Sequence, residues 1–187
     1  MTRLSLPERL LRHAACAVAL VLAGCATTHE GPARLGLRLP PAALGASISV
    51  QQHLTVQRAG STNDLDVALE VDPAHVKLVG LAFGQRVLSM DFDGRALNEW
   101  RHPMLPAQVR AADVLEDLQL TLWPVDEIAR ALPPGWQVED RGLRRTLRRD
   151  GAVVATIDYG GMPRWQGTAV LENVRYQYRL TIESATE

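Results

Sequence analysis

Cysteine is scarce: the chain has two in 187 residues, Cys16 and Cys25. A sulfur-rich metal site and a disulfide scaffold are both excluded, since each needs several thiols. Lysine is scarcer still, Lys77 being the only one. Arginine carries almost all the positive charge, and the formal net charge is only −1. Without a basic surplus there is no electrostatic case for nucleic acid. No apolar run approaches the roughly 20 residues that a helix needs to cross a bilayer. No Gly-x-Ser-x-Gly elbow occurs, which removes the usual signature of a supported serine nucleophile. His13, His29, His53, His75 and His102 stand far apart, so a zinc site would need ligands gathered from separate elements. No cofactor and no metal site is expected.

What is present at the N-terminus has the pattern of an address. Arg3, Arg9 and Arg12 precede an uncharged apolar stretch, Ala14 to Leu22. A basic stub, a short apolar run and small residues make a secretory signal. Here the run ends in Leu22-Ala23-Gly24-Cys25, which resembles the bacterial lipobox. That resemblance implies a signal peptide over residues 1–24, cleavage before Cys25, and acylation of the Cys25 thiol with a palmitate-type chain. Cys16 has no apolar run upstream and would leave with the signal, so no disulfide forms within the mature chain. Ala26 and Thr27 follow the cysteine, without the aspartate that retains enteric lipoproteins at the inner membrane. The resemblance therefore implies a lipid-anchored protein on the periplasmic face of the outer membrane. Several buried acyl chains give durable attachment, at about 0.8 kcal/mol per methylene.

Residues 25–46 are rich in Gly, Pro and Ala and have no sustained period. They read as a lipidated N-terminus and tether, the first part flexible and the later part a strap onto the domain. Residues 47–187 then read as one β-rich domain of ordinary size. Ile48, Val50, Leu54 and Val56 alternate with polar residues, and Leu65 to Val71 is the clearest period-two stretch. Val76 to Phe83 is apolar on both faces, as in an inner strand. Arg86 to Phe92 and Arg95 to Arg101 flank Asp93-Gly94, a hairpin signal. The period then changes. Ala111, Leu115, Leu118 and Leu122 mark an amphipathic helix, and Pro124 opens a second one that ends at Pro133-Pro134-Gly135. Trp136–Arg141, Leu143–Arg149 and Ala152–Tyr159 return to strand patterns, with a turn at Asp150-Gly151. Ala169 to Glu183 reads as one long final strand with a bend near Glu172-Asn173.

Five strands, two helices and about four strands, joined by short connections, imply antiparallel pairing. An apolar sheet face must be covered, and the two helices are the elements available. The expected fold is α+β, a curved antiparallel sheet forming an incomplete barrel with two central helices packed in its concave face. That order resembles the LolA and LolB group of periplasmic lipoprotein carriers and receptors, which implies an apolar cavity for acyl chains. The segments "FGQRVLSMDFDG", "LPAQVRAADVLEDLQLTLWP" and "LPPGWQVED" are also similar to an uncharacterised bacterial outer-membrane lipoprotein family found near aryl-polyene and fatty-acid-like synthesis genes. This second resemblance implies an accessory protein that handles acylated products, and it brings no catalytic residues with it.

The expected ligand-binding side chains are Leu88, Met90, Phe92, Trp100, Leu115, Leu118, Leu122 and Trp123, with Cys25 as the lipid attachment site. The same set would also serve as ordinary core. Binding a long apolar chain needs no polar motif, because burial supplies about 25 cal/mol per Å². The expected function is therefore binding or passing on an acyl or polyene lipid, or an acylated partner, without covalent catalysis. Two other classes stay open: an assembly lipoprotein acting through protein contacts, and a lipid esterase or thioesterase. The pairs Asp64/Asp66 and Asp91/Asp93 read as the wet face of a strand and a turn. The run "RGLRRTLRRDG" packs five arginines into nine residues and reads as a charged edge strand, with anionic headgroup contact as the alternative.

Overall fold

A computed structural model describes residues 34–185. The expectations about the signal peptide and Cys25 fall outside the described residues. The described chain forms a ten-stranded antiparallel sheet with two helices. The strands are β1 (Ile48–Arg58), β2 (Ser61–Val71), β3 (Val76–Ala82), β4 (Gln85–Phe92), β5 (Leu97–Arg101), β6 (Trp136–Arg141), β7 (Arg144–Arg149), β8 (Ala152–Tyr159), β9 (Gly167–Asn173) and β10 (Tyr178–Ala185). Helices α1 (Ala111–Leu122) and α2 (Val125–Ala131) lie between β5 and β6 in sequence.

The strand order is β5-β4-β3-β2-β1-β10-β9-β8-β7-β6. The first and last strands thus meet at the centre, and the two strands flanking the helices are the free edges. The sheet is curved and open, as the sequence pattern implies. Ile48 lies opposite Val71, Leu69 opposite Leu78, and Ile157 opposite Leu171. This register stacks apolar side chains on one face, where a one-residue slip would turn every one of them outward.

Short connections place the turns at two ends of the sheet. The near end, where β1 begins, carries the turns at Asp72–His75 and Asp93–Ala96. The far end carries Ala59-Gly60, Phe83-Gly84, Asp150-Gly151 and Val174–Gln177. The Asp150-Gly151 turn is where the sequence places it. The Asp93-Gly94 turn is wider than a two-residue hairpin, because Phe92 pairs with Leu97.

Two expectations are corrected. The long final strand is a hairpin: Tyr178 pairs back onto Asn173, and Val174 is 62% exposed in the turn. The Asn173 side chain accepts the backbone N–H of Tyr176 (3.0 Å) and holds the reversal. The arginine run is not a free edge either. β7 lies between β6 and β8, and Arg145 within it is 1% exposed.

Arg145 has a clear structural purpose. Helix α1 has no basic residue in its last turn, where carbonyls lack intrahelical partners. Arg145 Nη1 donates to the Leu120 carbonyl at 2.6 Å, and the Tyr159 hydroxyl donates to the Thr121 carbonyl at 2.7 Å. Asp140 accepts two hydrogen bonds from Arg145 (2.8 and 3.1 Å) and one from Arg164 (2.5 Å). Sheet side chains therefore cap the helix, and Asp140 pairs with both arginines.

Candidate functional site

Seven of the eight expected ligand-binding side chains are packed in the core: Leu88, Met90, Phe92, Leu115, Leu118, Leu122 and Trp123 are each at most 9% exposed. Trp100 is set apart from them. It lies on edge strand β5, 41% exposed, with the Arg86 guanidinium 4.4 Å above its ring and His102 edge-on at 6.1 Å. None of the eight lines either of the two clefts described below.

The segment before β1 occupies the concave side. From Arg34 to Gly45 the chain is a strap, extended and then closed by a single 3₁₀ turn at Pro41–Leu44. Leu37, Leu39 and Leu44 are each no more than 5% exposed and belong to the same apolar cluster as the sheet and helices. The strap forms no β-ladder, so its buried backbone groups need other partners. Helix α1 and the residue following it supply them. Leu39 N–H donates to Gln119 Oε1 (2.9 Å), and Gln119 Nε2 donates to the Leu39 carbonyl (2.8 Å). Gly36 N–H donates to Glu116 Oε2 (2.6 Å), and Trp123 Nε1 donates to the Pro40 carbonyl (3.1 Å). This explains why Glu116 and Gln119 are buried on a helix whose sequence shows a single apolar stripe. One side of α1 meets the sheet, and its polar side meets the strap.

A charged latch holds the start of the strap. Arg34 Nη1 lies 3.0 Å from Asp117 and 3.7 Å from Glu116, and its Nε lies 3.6 Å from Asp113. Its guanidinium sits 4.3 Å from the centre of the Tyr176 ring. The Tyr178 hydroxyl donates to Asp117 at 2.6 Å. Burial pushes the Asp117 carboxyl up to about 6, the Arg34 charge and the Tyr178 hydrogen bond only partly opposing it. Burial also opposes the charge on Arg34, but Asp117, Tyr178 and Asp113 outweigh it and hold the guanidinium protonated. Asp113 also pairs with Arg110 at 2.9 Å, so three carboxylates meet two arginines and the cluster keeps excess negative charge when all are ionised.

Beside the latch lies a narrow crevice lined by Leu35, Leu120, Trp136, Leu147, Val154 and Arg175, among others. Its free volume, about 10 Å³, suits about one water. Arg175 stands 5.3 Å from the Trp136 ring centre, and its buried Nη1 has no hydrogen-bond partner. An open cleft of about 540 Å³ lies at the far end between the β1–β2 and β9–β10 turns, lined by polar side chains such as Gln57, Arg58, Glu172 and Arg179. Among the described residues, no group of three or more His, Cys, Asp or Glu side chains is placed to hold a metal ion. No helix among them is long and apolar enough to cross a membrane.

The strap is the feature that reasoning from the sequence placed only in outline. Its one signal is the Leu35, Leu37, Leu39 alternation inside a Gly- and Pro-rich stretch, too short to read as a strand.

The class defined by these features is an open antiparallel meander wrapped round a helix pair and its own N-terminal strap. Residues 49–186 match the family described as "Protein of unknown function (DUF3261)", and the chain belongs to that family. No curated protein matches the chain. A solved structure from Vibrio parahaemolyticus, provisionally described as an outer membrane lipoprotein-sorting protein domain, is similar over 74% of this chain and 83% of its own, with 8% identity and a TM-score of 0.40.

Proposed function

We propose that this domain is a lipid-anchored envelope protein that holds an extended apolar chain on its concave face, in the seat its own strap fills. The chain would be the acyl or polyene tail of a lipid, or of an acylated partner. The observation that carries this reading is the strap itself. A non-ladder segment, with leucines buried and backbone groups satisfied by side chains of α1 and Trp123, lies where such a tail would lie. A tail brings no backbone polar groups, so Gln119 and Glu116 would turn to water or to the ester and headgroup atoms as the strap withdraws. The partnerless Nη1 of Arg175 beside the crevice suits an anionic group of the same ligand. Covalent catalysis has no part in this reading, which rests on burial alone.

Acylation at Cys25 and the periplasmic face of the outer membrane belong to the same proposal and are supported by the lipobox-like sequence. Native mass spectrometry of delipidated, refolded protein with long-chain fatty acids tests the binding step. The expected result is a one-to-one adduct. Absence of any adduct across chain lengths rejects the reading. A second reading, assembly through protein contact, is favoured by the open polar cleft at the far end. A stable protein partner recovered together with a failure to take up fatty acid would select it.

A further inference from the structure

Four non-glycine residues among those described have left-handed backbone: Ala59 (φ 49°), Phe83 (φ 52°), Asp150 (φ 49°) and Gln177 (φ 54°). All four lie in turns at the far end. Two-residue hairpins need positive φ at both central positions and favour Asn-Gly or Asp-Gly. Asp150-Gly151 follows this rule, and Ala59-Gly60 departs from it mildly. Phe83-Gly84 departs from it strongly, because a bulky side chain in this region is a true outlier. The fold gains nothing in return, since Phe83 is 96% exposed. An aromatic ring kept at a strained turn, with no contact inside the molecule, points to a contact outside it.

The surroundings name the partner. Leu81 pairs with Arg86, Leu88 with Arg101, and His102 N–H bonds the Val87 carbonyl, so the β3–β4 turn and the end of β5 share one corner. Met104 is 51% exposed just beyond β5. From Leu78 to Met90, and from Trp100 to Ala112, the sequence has no Asp or Glu, while Arg86 and Arg101 are present; Arg110, at the end of the second stretch, is paired with Asp113. The carboxylates on the neighbouring β2, Asp64 and Asp66, are bonded to Thr55 and His53, both at 2.8 Å. An apolar tip ringed by arginine suits the headgroup zone of a phospholipid bilayer.

The chain outside the structure ends in the right place. Arg34 contacts Tyr176 and Tyr178 at the β9–β10 turn, so the described chain begins at the far end too. From Cys25 to Arg34 is nine residues, a reach of at most about 30 Å. An anchor at Cys25 holds this end close to the membrane.

We propose that the β3–β4 turn seats Phe83 in the bilayer interface, so that the far end of the sheet faces the membrane. The direction of approach rests on the Cys25 anchor. The contact itself does not, and neither depends on acyl uptake by the concave face. The test uses the acylated full chain in vesicles of phosphatidylethanolamine and phosphatidylglycerol, without fatty acid. In a Phe83→Trp variant, lipids brominated on the acyl chain should quench emission well beyond the parent's four tryptophans. In parallel, the unanchored Cys25→Ala chain is partitioned onto the same vesicles with and without Phe83→Asn. Asn suits the left-handed turn, so the fold is kept. Loss of the ring should lower partitioning about tenfold or more, the scale expected for burying one phenylalanine. Quenching no greater than the parent's overturns the proposal, as does equal partitioning of the two unanchored chains.

Discussion

At the near end of the sheet, the β2–β3 and β4–β5 turns are each held by an aspartate. Asp72 accepts the N–H groups of Ala74 and His75 (both 2.7 Å), and Asp93 those of Arg95 and Ala96 (2.8 and 2.7 Å). These bonds hold both carboxyls below their usual range. The far end lacks such aspartate-held turns: its hairpins have left-handed residues, and one of them presents a phenylalanine to solvent. Local hydrogen bonding accounts for these two near-end turns. It leaves Phe83, 96% exposed at a left-handed position, without an internal reason.

The comparison breaks most visibly at Arg145, whose side chain is 1% exposed and bonds Asp140 and the end of α1. Arg145→Ala should cost about 3–5 kcal/mol, because Asp140 keeps only Arg164 and the Leu120 carbonyl loses its donor. Denaturant unfolding measures this, and a loss below about 1 kcal/mol would remove the buried group from the account of stability.

The latch gives the next largest effect. Asp117 has its folded pKa raised to about 6 from an ordinary 3.8. The folded state therefore binds this proton more tightly than the unfolded chain does. Its contribution is complete below about pH 4 and is lost as pH rises through about 6, a swing of at most roughly 3 kcal/mol. Stability measured from about pH 4 to 7 should fall more steeply in the parent than in Asp117→Asn, and parallel profiles would refute the latch's titration.

Smaller and opposite in sign is the effect at the far end. Phe83→Asn should raise stability by about 1 kcal/mol by relieving the left-handed strain. A loss instead would mean that the ring supports the fold. Smallest are the near-end turns. Asp72→Ala or Asp93→Ala should lower the melting temperature slightly at neutral pH and not at all in strong acid, since a depressed carboxyl stabilises above its unfolded pKa and loses that effect as pH falls.

Most of the sheet was readable because its inner face is regular. The Leu65–Val71 alternation and the Ala111–Leu122 stripe predict β2 and α1 closely. The β9–β10 turn was hidden because it contains neither Gly nor Pro, and because Val174 and Tyr176 continue the strand period straight through it. Arg145 was hidden because a run of arginines looks solvated unless its partners, Asp140 and the Leu120 carbonyl, are known. The strap was hidden for a related reason: its hydrogen bonds go to side chains on α1, about 80 residues away, and no local period reports that. Seven of the eight residues in the expected apolar ligand set form core here, and Trp100 is half-exposed on edge strand β5.

The central claim is that strap and acyl tail compete for one seat. Hydrogen exchange at the Gly36 and Leu39 amides, which donate to Glu116 and Gln119, followed with and without a saturating long-chain fatty acid, tests it most directly. The account predicts slow exchange in the free protein and markedly faster exchange once the tail is bound. Unchanged protection at both amides, with fatty acid demonstrably bound, would contradict it.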